Sequence, residues 1–422
     1  MKNIFYITKK SWLAMLVFLV FGSSAHADEK DPDYSSNLTG DWKGNRLKLY
    51  QHGVDAQLVY RADGINNTSG GIKKGGYALG NVDLKFSIDG EKLYNQSGSK
   101  IFIYFLNNHG GQPNAKKVGS AQGVDNIEVA TATTKLYEAW ISQDFLDGKF
   151  SILTGLHDLN SEFYVTPSAG LFIGSTYGMG AEFAATGDNG PSIFPTTSLA
   201  FRAKLQPTEK FYLQTAVFDA IAGNPDKPKG TNIHLKKKDG ALLIAEIGTN
   251  SDFGNYAVGL WQYTKKFDDY VNVDANGDPI KKSSQGAYTM AEKVLYKHDE
   301  TTYLTGFLRF GKASKSVSMI DYSWSSGLVC NGFISGRNDS QIGIAVSQAN
   351  LSKKYRQSQL DSGFKTPKQE TSLEFTVSDK LTPWLQIQPD MQYIFNPATS
   401  VDLGGKYLKN AFVIGIKTVI TF

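Results

Sequence analysis

Charged side chains stand at every second position in segments whose alternate positions are apolar. Arg61, Asp83, Lys85, Arg202, Lys204 and Asp390 each occupy the polar parity of a run whose other parity is mostly Val, Leu, Ile, Phe or Tyr, with Ala56, Ala203 and Met391 among them. A charge taken from water without a partner is costly, so the polar faces must meet water while the opposite faces meet an apolar phase. The cations Arg61, Lys85, Arg202 and Lys204, with the anions Asp83 and Asp390, suit a transverse field across a wet lumen, or ion pairs that brace its wall. In Leu136-Tyr137-Glu138-Ala139-Trp140, Glu138 and Trp140 share the inward parity. An indole beside a carboxylate offers an apolar face and a hydrogen-bond acceptor together, which suits a sugar ring, although such a Trp also serves simply as packing.

The segment 158–197 concentrates further chemistry. It opens with Asp158 and Asn160 and carries Phe163, Tyr164, Phe172, Tyr177, Phe183 and Phe194 among many glycines. A freely solvated loop is polar and poor in aromatics, so something covers these rings. Either they anchor the loop to an inner wall, or rings such as Phe163, Phe172 and Tyr177 line a constriction and stack on a solute. Both readings put the loop in the lumen.

Other motifs are weaker. Asp274-Ala275-Asn276-Gly277-Asp278 resembles the start of a calcium loop but lacks its terminal Glu and reads as a turn in a long exterior loop, 264–286. His157-Asp158 has no GxSxG partner, so hydrolytic machinery is not expected. The six histidines are dispersed and the single cysteine, Cys330, cannot form an internal disulfide. No metal site and no cofactor are expected.

The elements that must position these groups follow from the alternation. Phe412, Ile414, Ile416, Ile420 and Phe422 share one parity against Ala411, Gly415, Lys417 and Thr421, which is the apolar-out, polar-in pattern of a barrel strand. The same pattern places strands near 54–63, 77–88, 100–107, 134–144, 149–157, 198–206, 210–219, 240–249, 255–263, 287–297, 301–310, 317–333, 341–349, 370–378, 384–395 and 411–422. Glu292 falls on the apolar parity of its segment. Short connections such as Asp147-Gly148 interleave with long ones such as 108–133 and 158–197, as periplasmic turns and outer loops do. The expected fold is therefore all-β: a sixteen-stranded antiparallel transmembrane β-barrel with long extracellular loops, some folded into the lumen.

Residues 1–27 read as a signal peptide, with Lys2, Lys9 and Lys10 before the apolar run Trp12 to Phe21 and Ala25-His26-Ala27 at the cleavage site. No later apolar run is long enough for a membrane helix. Residues 28–53 form an N-terminal periplasmic segment, with a short helix expected within Trp42 to His52, and 54–422 form the barrel. A net charge of +4 with scattered basic residues gives no nucleic-acid surface.

Several segments resemble the carbohydrate-selective porin family typified by the OprB porins. Gly40-Asp41-Trp42-Lys43-Gly44-Asn45-Arg46 with Leu49 and Gly53-Val54 is similar to the family's opening signature, Lys43 filling a slot often held by Gly. Tyr137-Glu138-Ala139-Trp140, then Gly155 to Phe163, then Thr382-Pro383-Trp384 through Asn396-Pro397 are similar to its later elements, in order. The resemblance implies an outer-membrane porin for small sugars such as glucose, with a pore narrowed by inward-folded loops. It further implies outer-membrane lipids and lipopolysaccharide as surroundings, recognition of Phe422 by the barrel assembly machinery, and an N-terminal segment that plugs or braces the periplasmic mouth. Whether the barrel is monomeric or trimeric is open, and a general porin for ions and small polar solutes is the alternative.

Overall fold

The computed structural model describes residues 31–251, 254–399 and 406–422, so the expected signal peptide lies outside the described residues. Among the described residues the chain forms sixteen strands: β1 (Val54–Gly71), β2 (Gly75–Asp89), β3 (Ser99–Gly110), β4 (Thr133–Phe145), β5 (Phe150–His157), β6 (Ser198–Thr208), β7 (Phe211–Asp219), β8 (Ala241–Ser251), β9 (Gly254–Val273), β10 (Pro279–Lys297), β11 (Tyr303–Ala313), β12 (Ile320–Asn331), β13 (Gln341–Leu351), β14 (Gln369–Thr382), β15 (Leu385–Phe395) and β16 (Lys409–Thr421). Each pairs antiparallel with its sequence neighbours, and β1 closes on β16 with Val59 opposite Thr421. Closure leaves no open sheet edge, the condition for strands to cross hydrocarbon.

Alternation decides which side chain faces which phase. Phe201, Val217, Ile247, Leu260, Leu308, Ile344 and Ile414 point outward and are exposed, while Asn81, Asp83, Glu246, Ser325 and Gln392 point inward and are buried. So wide an exposed apolar band belongs against lipid.

Two expectations need correction. Residues 264–286 are not a long exterior loop: β9 and β10 run through them as paired strands, closed by a turn at 274–278. There Asp274 Oδ1 accepts from the Asn276 and Asp278 amides, at 2.8 and 3.1 Å. Glu292 is not on the lipid side but faces inward with Tyr288 and Met290, and all three are buried. The inner face of β10 carries large apolar side chains because a loop covers it, so its parity reads inverted.

That loop is 158–197, and it lies inside the barrel. Its Leu159, Phe163, Tyr164, Met179 and Phe183 form one buried cluster with Phe218, Leu242, Trp261, Tyr263, Tyr288 and Met290 of β7 to β10. Phe183 stacks on Trp261 at 4.5 Å and Tyr164 on Tyr288 at 4.0 Å. The loop 111–132 also folds inward: Val124 and Ile127 pack with Ile65, Leu79, Ile394 and Val413 of β1, β2, β15 and β16.

The N-terminal helix, Asn45–Gln51, meets the strand ends where the barrel closes. Arg46, 2% exposed, donates to the Phe422 carbonyl at 2.9 Å and the Ala56 carbonyl at 2.7 Å, beneath the Tyr34 ring at 4.3 Å.

Candidate functional site

Along the inner wall from β1 to β6 the charged and aromatic positions join into one network. Arg61 pairs with Asp83, which also accepts from Asn81 and Tyr104. Lys85 lies 4.7 Å from the centre of the Tyr104 ring. Glu138 accepts from the Trp140 indole at 3.1 Å and from the Asp158 amide at 3.1 Å, with His157 Nδ1 at 3.0 Å. His157 Nε2 lies 3.5 Å from Glu162, which grips Arg202 through two 2.7 Å hydrogen bonds.

A β-bulge shapes the middle of this arc. Tyr104 pairs with Glu138 and Phe105 with Leu136, leaving Tyr137 as the extra residue. Tyr137 and Glu138 are therefore both buried on the inner side, although they are consecutive. The Tyr137 hydroxyl donates to Asp158 at 2.7 Å, which joins the wall to the start of the loop. Trp140 stacks on Phe102 at 5.1 Å and sits opposite Gly155. Gly155 has φ of +139°, and a Cβ there would run into the Ala139 carbonyl and Trp140 itself, so only glycine accepts both demands.

The network divides the expected site residues by accessibility. Arg61, Lys85, Trp140 and Lys204 stand on the inner face and are half-buried. Asp83 is fully buried, and Arg202, 5% exposed, is held by Glu162 and Ser151, so both brace the wall. Asn160 shapes the loop, donating to the Phe163 carbonyl at 3.1 Å. Phe163, Phe172 and Tyr177 are at most 2% exposed. They do not present ring faces to a passing solute, because the loop turns them into the wall: Phe172 contacts Tyr177 at 4.9 Å and Phe307 at 6.0 Å.

Sequence reasoning missed the groups that hold the loops. Glu246 accepts from the Tyr164 amide at 2.9 Å, Glu292 from Ser168 at 2.7 Å, and Glu374 from Ile173 at 2.6 Å and Gly174 at 3.1 Å. Glu370 does the same for the Ala121 and Gln122 amides of the other inward loop, at 2.8 and 3.1 Å. Arg309 completes the set by donating to the Tyr177 carbonyl at 2.5 Å. The available signal was a carboxylate on the inward parity of β8 and of β14, while Glu292 reads as lipid-facing, and the partners lie 82 to 249 residues away.

Within the loops, burial sets the titration. Burial and the neighbouring Glu138 raise Asp158 to about 6. Burial also acts on Glu162, but hydrogen bonds from His157 and Arg202 outweigh it and hold this carboxyl down at about 2. Asp125 is pushed well above the usual carboxylate range by burial and by Asp63.

A cavity of about 530 Å³ opens inside the wall below the loop, between Glu162, Lys204, Tyr212, Gln214, Asn255 and Glu292. Its size is that of ligand-holding pockets generally.

Residues 73–422 match the family described as "Carbohydrate-selective porin, OprB family". The chain belongs to that family. Among relatives, Porin B of Pseudomonas aeruginosa is 25% identical over 449 residues, covering 96% of this chain and 95% of that protein. The high-pH structure of Pseudomonas putida OprB superposes with a TM-score of 0.80 at 21% identity, covering 93% of this chain and all of the other. The outer membrane channel DcaP of Acinetobacter baumannii superposes at 0.54 with 9% identity, over 87% of this chain and 97% of the other. This OprB-family protein is thus an outer-membrane porin of a Gram-negative bacterium that passes small carbohydrates.

Proposed function

We propose that the OprB-family barrel passes glucose-like monosaccharides along the β1 to β6 arc of its wall, with Trp140 as the stacking platform and Lys85, Arg61 and Lys204 as donors to sugar hydroxyls. The observation that carries this reading is the half-buried Trp140, stacked on Phe102 with its indole N–H fixed by Glu138. An aromatic face held rigidly beside charged donors binds a sugar at little entropic cost. On β7 to β10 the packed loop covers the rings of Phe218, Trp261, Tyr263 and Tyr288. Asp83 and Arg202 hold the neighbouring side chains in place, and the cavity beside Lys204 and Tyr212 receives the solute next.

Liposome swelling with a series of monosaccharides tests the proposal. Trp140→Ala should cut sugar entry severalfold while single-channel ion conductance in planar bilayers stays equal or rises. Sugar entry unchanged in Trp140→Ala, in a variant that migrates as a folded barrel, would refute the platform and favour a general diffusion pore.

A further inference from the structure

The outer wall of β7 to β13 carries two features that passage through the lumen does not use. On the lipid-facing surface a cavity of about 630 Å³ is lined by Leu243, Ala245, Leu260 and Ala287, with Gln262 and Lys312 at its upper end. It exists because Leu260 pairs with Ala245 on one side and Ala287 on the other, so its neighbours stop at a methyl group. Lys312 pairs in turn with Tyr322, and Tyr322 with Asn350. Those two outward residues floor a second cavity, of about 490 Å³, whose walls bring together Lys315, Lys353, Lys354, Arg356 and Lys368 against one lining acid, Asp321.

The second cavity is built for anions. Lys354 is paired with Asp269 outside the lining, while Lys315, Lys353 and Lys368 are exposed. The Arg356 Nε is buried with no hydrogen-bond partner among the described residues. The site lies at the loop end of β11 to β14, the extracellular rim, where the outer leaflet's headgroups stand.

We propose that these cavities form one site for a phosphorylated, multiply acylated glycolipid of the outer leaflet, with an acyl chain in the apolar groove and a phosphate among the five cations. From Ala287 to Asn350 is three strand spacings, roughly 14 Å at about 4.8 Å each, a span that a headgroup carrying several chains bridges. Basic pockets beside a lipid-facing surface are the usual chemistry of such recognition. A second protein copy would have to supply acids to the rim and fill the groove at once.

The test uses the full-length barrel in non-ionic detergent, with bisphosphorylated lipid A and its dephosphorylated form as probes, and native mass spectrometry as the readout. The phosphorylated lipid should bind at least about tenfold more tightly at low salt, and the combined Lys315→Ala, Arg356→Ala, Lys368→Ala variant should lose that preference. Ala287→Phe, which fills the groove from the lipid side, should weaken both lipid forms. Unchanged heat-dependent gel migration and sugar flux in these variants would show that the losses are local. Equal binding of the two lipids, full binding by the triple variant, binding abolished by EDTA, or a dimer that displaces the lipid would each overturn the proposal.

Discussion

Glu374→Ala removes one of the wall carboxylates that hold the inward loop, and its effect can be worked from the contacts. Glu374 is fully buried and accepts from two consecutive loop amides, Ile173 at 2.6 Å and Gly174 at 3.1 Å. Leaving two buried N–H groups unpaired costs about 1–3 kcal/mol each. Removing a buried polar carboxyl returns part of that, since burying it is itself unfavourable. The net penalty on the docked loop is then about 2–4 kcal/mol, which multiplies the undocked population by roughly 30 to 1,000. Phe172 against Phe307 and the Gln388 side chain bonded to the Leu171 carbonyl at 2.6 Å remain, so the barrel itself should persist. Single-channel recording should show larger, noisier conductance, and limited proteolysis should cut within 158–197. Glu374→Gln keeps one acceptor oxygen and should fall between the parent and the alanine variant. Parental conductance and protease resistance in Glu374→Ala would refute the idea that wall carboxylates clamp the loop.

Gly155→Ala forces a side chain into the positive-φ position opposite Trp140; the strain is about 1–3 kcal/mol, read as a lower temperature for the folded-to-unfolded gel shift. Glu162 has its folded pKa lowered to about 2, so its stabilisation is present above its unfolded pKa, about 4.5, and is lost as pH falls through 2. The shift corresponds to about 3 kcal/mol, and Glu162→Gln should be less stable at neutral pH and flatter in acid, a matching acid profile counting against the ion pair. Arg46→Ala removes the donor to both the Phe422 and Ala56 carbonyls; a loss of about 2–4 kcal/mol is expected, and unaltered heat resistance would show that the N-terminal helix is dispensable for closure.

The strands were legible wherever one face meets lipid and the other meets water. Where that contrast fails, so does the reading. The upper arms of β9 and β10 rise past the lipid and carry Lys266, Asp268, Lys281 and Lys282, so no apolar parity marks them as strands. Glu292 misled for the opposite reason: Tyr288 and Met290 beside it look lipid-facing but serve a dry interior. For the site, Glu138 and Trp140 could be placed from local spacing. The bulge at Tyr137 and the pairing of Phe172 with Phe307 depend on strands brought together only by closure.

Because 158–197 packs against β7 to β13 as a protein core does, strand number and free passage are separate properties of this barrel. Sixteen strands fix a circumference and a lipid-facing exterior; the open cross-section is whatever the two inward-packed loops leave. Changes confined to 158–197 therefore alter which solutes fit without disturbing the outer surface or the closing seam. Chemical preference can drift while the membrane sees the same cylinder.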